Sequence, residues 1–160
     1  MTKPTVAILG ASADRAKFGN KAVRAYLARG YEVFPIHPKA ETIEELPAYR
    51  SISQVPAARL DRASLYLPPE IGLQVIEEIA QKPVREVWLN PGAESLELIA
   101  RARKLGVNVL VGCSIVDSGD TICTMGTGEI HGVDANVAAS MITQENASRI
   151  DGCSASATLA

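Results

Sequence analysis

Four short stretches of this chain place small, cationic or proline residues at the ends of apolar runs, and their combined chemistry is that of holding a phosphorylated nucleotide. The run Val6-Ala7-Ile8-Leu9 ends in Gly10-Ala11-Ser12, followed by a polar loop with Arg15, Lys17 and Gly19 before a helical pattern begins. A turn of small residues between a buried strand and a helix N-terminus lets bare backbone N–H groups approach phosphate oxygens, and the helix dipole favours their negative charge. Lys17 adds a cation to the same loop. The spacing departs from GxGxxG, since Ser12 stands where the second glycine would be, and a plain strand-to-helix connection uses the same residue types.

The second run ends in Pro35-Ile36-His37-Pro38-Lys39. Folds that bind NAD place an Asp or Glu at this point to accept from the ribose hydroxyls, and none is present. Lys39 suits instead a ribose phosphate, as in NADP or the 3′-phosphate of coenzyme A, although a solvated surface lysine after a proline turn has the same signature. No carboxylate is spaced to orient His37, which therefore reads as a structural or ligand-edge residue rather than a catalyst. The third run leads into Tyr66-Leu67-Pro68-Pro69, an apolar lip for a flat base or an alkyl arm, with Pro69 suited to start a helix. Trp88-Leu89-Asn90-Pro91-Gly92 forms a fourth tight turn, and Gly112-Cys113-Ser114 follows a fifth run. Cys113 is either an inert buried thiol or one whose pKa a helix N-terminus lowers, fit for a mixed disulfide with a bound thiol.

Positioning these turns requires a scaffold, and the chain supplies one in five apolar runs separated by helical patterns, the signature of a parallel sheet covered on both faces. Strands are expected over 5–9, 32–36, 63–67, 86–89 and 108–111, and helices over 20–29, 70–81 and 95–105. The predicted class is α/β, a Rossmann-like doubly wound parallel five-stranded sheet in the order 3-2-1-4-5, with all the turns above at the carboxyl ends of its strands. Residues 40–61 read as an irregular connection over the sheet edge, with an acidic helical turn around 43–46. Beyond Asp117 the chain turns polar and lysine-free. A hairpin over 121–133, a short helix after Asp134 and a loose end over 154–160 are expected there.

A length of 160 residues with 47% hydrophobic side chains supports one core and a single folded domain, taken as 1–116, with a polar acidic extension over 117–160. The body holds 15 basic against 12 acidic residues and the extension 1 against 6. So mild a positive bias, with few aromatics, suits a small phosphorylated ligand and not nucleic acid. No apolar run reaches the ~18 residues of a membrane helix and no signal-peptide pattern opens the chain, so a cytoplasmic location is expected. Three cysteines without CxxC spacing argue against a disulfide framework or a metal site. No nucleophile elbow, P-loop or metal motif is present, and His131 lies among glycines, so no catalytic residue is assigned.

Taken together, Gly10-Ala11-Ser12, the segment Tyr26-Leu27-x-x-Gly30-Tyr31-x-Val33, Pro35-Ile36-His37-Pro38-Lys39, Leu67-Pro68-Pro69 and Trp88-x-Asn90-x-Gly92 resemble the CoA-binding-domain family, which is similar to the N-terminal domain of the succinyl-CoA synthetase α subunit. The resemblance covers residues 3–113. It implies coenzyme A or acyl-CoA lying across the strand ends, with Gly10, Ala11 and Ser12 cradling the diphosphate and Lys39 meeting phosphate. By the same resemblance His37 and Pro38 border the nucleotide, Leu67, Pro68 and Pro69 line the adenine or pantetheine, and Asn90 and Gly92 contact the pantetheine arm. A carrier or sensor without chemistry of its own is the function expected. The alternatives are an NADP-binding oxidoreductase and an interaction module whose acidic extension docks on a second subunit or another protein.

Overall fold

The first strand, β1 (Thr5–Leu9), is aliphatic along almost its whole length, and Val6, Ala7 and Ile8 are fully buried, so it must stand inside a sheet covered on both sides. The computed structural model describes residues 2–117. The hairpin expected over 121–133, the helix after Asp134, the loose end over 154–160 and His131 lie outside the described residues.

In chain order the elements are β1, α1 (Phe18–Ala28), β2 (Glu32–Ile36), β3 (Thr42–Ile43), β4 (Leu46–Pro47), a 3-10 turn at Ile52–Gln54, β5 (Leu60–Leu65), α2 (Pro69–Gln81), β6 (Val84–Leu89), α3 (Leu96–Lys104), β7 (Val109–Val111) and α4 (Ser114–Asp117). Five strands form one sheet in the order β2-β1-β5-β6-β7, every pair parallel. Alternation along the strands divides the core in two. Ala7, Leu9, Phe34, Ile36, Ala63, Leu65, Val87 and Leu89 face Ile76 and Ile79 of α2, Leu98 and Ala102 of α3, and Ile52 and Val55. On the other side Val6, Ile8 and Val33 meet Ala22, Val23 and Tyr26 of α1, with Ile43 and Ile115.

The α/β class, the parallel five-stranded sheet and its three main helices agree with the sequence reading, but the strand order does not. In the numbering of the five expected strands the order is 2-1-3-4-5, not 3-2-1-4-5. The reason is burial: Leu60, Ala63 and Leu65 are wholly enclosed, which an outermost strand cannot provide. Pro35 makes the complementary argument, because a residue without an N–H belongs on an edge strand, and β2 is that edge. Among the described residues the outer rim of β2 is hydrogen-bonded at one point, where the Tyr49 N–H donates to the Pro35 carbonyl and the His37 N–H to the Tyr49 carbonyl, both at 2.9 Å.

A second correction concerns residues 43–46. No helical turn forms there; β3 and β4 pair antiparallel, and Glu44 and Glu45 carry them through the turn at φ 49° and 64°. Such left-handed pairs suit hairpins but normally call for Asn or Gly. Tertiary contacts override the preference: Ile43 is buried against the α1 side of the sheet, and the Glu44 carboxylate is bound by Asn20 of α1 and faced by Arg15 of the loop before it. The connection then crosses to the α2 face, where the Ser53 N–H donates to Glu78 Oε1 at 3.1 Å and Lys82 Nζ to the Val55 carbonyl at 3.0 Å.

Candidate functional site

Gly10 is the centre of the rim formed by the carboxyl ends of the strands. Its N–H donates to the Ile36 carbonyl of β2 at 3.3 Å, and its φ of +88° turns the chain upward out of β1. A Cβ on Gly10 would come 2.6 Å from the Tyr66 carbonyl oxygen, with Leu67 Cδ2 3.1 Å away, so the ends of β2, β1 and β5 converge here. Gly19, in the first turn of α1, is pressed still closer, since a Cβ there would stand 2.1 Å from the Gly10 carbonyl oxygen. Close seating of helix on turn is the role that a glycine plays in dinucleotide-binding folds.

The N-terminus of α1 is the one best prepared for an anion among the three long helices. Its N-cap, Lys17, makes no side-chain cap and its first turn holds no acid, whereas α2 carries Glu70 and α3 carries Glu97 behind a Ser95 cap. The N–H groups of Asn20 and Lys21 donate to the Lys17 carbonyl, leaving those of Phe18 and Gly19 without an acceptor among the described residues. Buried Asn20 braces the loop, its Nδ2 donating to the Ser12 carbonyl at 2.8 Å and to Glu44 Oε1 at 2.9 Å while its Oδ1 accepts from Arg24 Nε. Arg15 lies 3.6 Å from the same Glu44 oxygen. Ala11 is buried, Ser12 half-buried and Lys17 exposed.

At the end of β2, His37 is a turn-former. Its Nδ1 accepts the N–H groups of Lys39 at 3.0 Å and Ala40 at 2.8 Å, which places the proton of the neutral ring on Nε2. Pro38 and Lys39 are exposed beyond it. Arg50 Nη1 donates to the Pro38 carbonyl, adding a cation that sequence reasoning missed because it stands in the irregular connection with no motif around it.

The third and fourth turns differ in character. Leu67 is half-buried beside Gly10, Pro68 is exposed and Pro69 opens α2. Asn90, by contrast, points inward and is 2% exposed. Its Nδ2 donates to Ser64 Oγ at 2.8 Å and to the Leu65 carbonyl at 2.9 Å, and its Oδ1 accepts from the Ser114 N–H at 2.9 Å. Ser64 and Ser114 share a 2.6 Å hydroxyl contact, and the Tyr66 and Tyr26 hydroxyls reach Ser114 at 3.2 Å. Asn90 thus clamps β5, β6 and α4 together, with its amide group engaged internally, while neighbouring Gly92 is exposed at the rim. Burial pushes the Tyr66 and Tyr26 phenols up from their ordinary values, so both keep their protons, and Tyr26 donates its own to the Ser114 carbonyl. Burial likewise raises the Cys113 thiol, outweighing the N–H groups of Val116 and Ile115 that pull it down. The lowered thiol that a helix N-terminus would give is not what this position has.

Two further features lie apart from the rim. A groove of about 1010 Å³ follows the outer edge of β2 near the start of the strands, lined by Tyr31, Val33, Phe34, Tyr49 and Arg59 among others, and includes none of the candidate residues. Among the described residues no cluster of three His, Cys, Asp or Glu could hold a metal ion, and no helix is long and apolar enough to cross a membrane.

With this geometry in place, residues 4–118 match the family described as CoA binding domain. The α subunit of ADP-forming acetate–CoA ligase I from Pyrococcus furiosus is 30% identical over 122 residues, covering 66% of this chain and 26% of that subunit. The α subunit of isoenzyme II from the same organism is 26% identical over 118 residues, covering 66% of this chain and 25% of that subunit. The chain therefore spans about a quarter of the length of these curated relatives. A solved conserved hypothetical protein from Pyrococcus furiosus overlays with a TM-score of 0.64 at 33% identity, over 72% of this chain and 99% of that one. The dinucleotide-forming acetyl-coenzyme A synthetase 1 of Ca. Korarchaeum cryptofilum, in complex with phosphate and ADP, overlays with a TM-score of 0.58 at 32% identity, over 66% of this chain and 25% of that one.

Proposed function

The chain belongs to the CoA binding domain family, and from that premise we propose that it holds coenzyme A or acyl-CoA across the rim at Gly10, as a carrier or sensor that performs no chemistry itself. The observation that carries this reading is the seating of Gly19 on the Gly10 carbonyl, which brings the uncapped, acid-free N-terminus of α1 against the β1 turn where a diphosphate would lie. Lys39 at the end of β2 supplies charge for the ribose phosphate, and Leu67, Pro68 and Pro69 supply an apolar wall. The absence of chemistry is supported by the groups nearest the rim. His37 Nδ1 caps a turn, Asn90 is internally bonded, and the Cys113 thiol is raised rather than activated.

Isothermal titration of the chain with CoA and with acetyl-CoA tests the proposal. Saturable heat is expected, and none at about 100 µM protein, roughly the weak limit for such a site, removes the reading. The lack of an acid at the β2 end also favours a second reading, an NADP-binding oxidoreductase. Saturable NADPH fluorescence that CoA cannot displace would select it. Because the two ligase relatives named above are α subunits, a protein partner or a second copy belongs to the proposal, and sedimentation of the full chain with and without CoA reads it out.

A further inference from the structure

Arg50 stands outside every motif that pointed to the rim, yet it is held at both ends of its own residue, its guanidinium by the turn after β2 and its backbone by the 3-10 turn. Its guanidinium Nη1 donates to the carbonyl of Pro38, the same peptide group that supplies the Lys39 N–H. Its backbone N–H donates to Gln54 Oε1 at 3.1 Å, and the preceding residue, Tyr49, is stitched to β2 by two backbone bonds of 2.9 Å. The turn it holds is equally fixed, since His37 Nδ1 takes both the Lys39 and the Ala40 N–H. Neither Lys39 nor Arg50 is paired with a carboxylate among the described residues. One guanidinium N–H is committed and four remain, in a planar fork that matches phosphate geometry, while the lysine adds a mobile point charge.

We propose that Arg50 is a specificity-determining residue, which together with Lys39 clamps a phosphate carried on the ribose of the bound nucleotide, so that the chain selects ribose-phosphorylated nucleotides over those without that group. The clamp rests on the nucleotide-binding reading of the rim and deepens it. The end of the second strand is where Rossmann-like folds meet the ribose substituent, and two unneutralised cations anchored to one rigid turn favour a dianion there over a hydroxyl. Because the arginine is held by a backbone carbonyl, little side-chain freedom remains to be lost on binding.

The test titrates the full chain with CoA and dephospho-CoA, and with NADP and NAD, for the native sequence, Arg50→Gln and Arg50→Lys. The native chain should prefer CoA to dephospho-CoA by about tenfold or more, the scale of one charge-assisted contact. Arg50→Gln should close most of that gap by weakening CoA alone, and Arg50→Lys should keep part of it. A CoA to dephospho-CoA ratio unchanged by Arg50→Gln overturns the clamp, and so does an equal loss for both ligands, which would mark a merely structural residue. If the native chain binds no CoA, the proposed function falls. The clamp then survives only if NADP is preferred to NAD and Arg50→Gln abolishes that preference; otherwise it falls too. Unchanged thermal melting of Arg50→Lys keeps the comparison on binding rather than folding.

Discussion

A methyl group on Gly19 would intrude on a backbone carbonyl, which no rotamer change can relieve, so the first turn of α1 would have to lift from β1. Gly19→Ala is therefore expected to destabilise the chain by about 2–3 kcal/mol, in the range of overpacking, measured by urea denaturation. CoA affinity should fall beyond what lost folding explains, because the lifted turn no longer presents its N–H groups. At this scale the sequence was readable where a residue type announces its own constraint. Glycines after a strand and prolines before a helix did so. Asn90 did not: the family resemblance implies a ligand contact there, and only burial reveals its amide as a clamp on Ser64 and Ser114. Arg50 left no signal, because its importance comes from a bond to Pro38 twelve residues away in an irregular stretch.

Among the elements, the β3–β4 hairpin holds two acidic residues in a conformation that L-residues adopt at a cost of about 1 kcal/mol or more each. Among the described residues only Glu44 has compensation, from Asn20 and Arg15. Glu45→Gly is thus expected to raise stability by about 0.5–1 kcal/mol, whereas Glu44→Gly should not, since it also removes the Asn20 bond; parallel denaturant curves decide it. The strands and helices themselves were legible from hydrophobic periodicity, mostly to within two residues at each end. The hairpin was not, because Glu-Glu carries helix preference and the contacts that overrule it lie far upstream, in α1 and the loop before it. The strand order was half legible: Pro35 announces an edge, but the same residue also belongs to the Pro35-Ile36-His37-Pro38-Lys39 stretch, where its place beside a candidate ligand turn accounts for it equally well.

Across the whole molecule, β1 and β5 are fastened at their starts by Asp61. Its Oδ2 accepts from the Thr5 N–H at 2.9 Å and the Thr5 hydroxyl at 3.2 Å, and the Asp61 N–H returns a bond to Thr5 Oγ1 at 3.0 Å. The Thr5 N–H above all holds the Asp61 carboxyl below the usual carboxylate value. A carboxyl depressed in the folded state contributes stability that is fully present above its unfolded pKa, near ~3.9, and lost as pH falls through the folded value. Thermal melting of the native chain against Asp61→Asn should therefore show a gap that is constant from about pH 5 to 7 and closes below about pH 4. The Pro35 edge has a consequence of another kind. A row of idle amides along an outermost strand is a template on which any stray extended peptide can lengthen a sheet. Here that row lacks one donor outright, has Tyr49 occupying the positions beside it, and at the opposite margin gives way to the three residues of β7. Among the described residues both flanks of the sheet are poor seeds, which leaves the rim at the strand ends open without inviting neighbouring molecules to stack side by side.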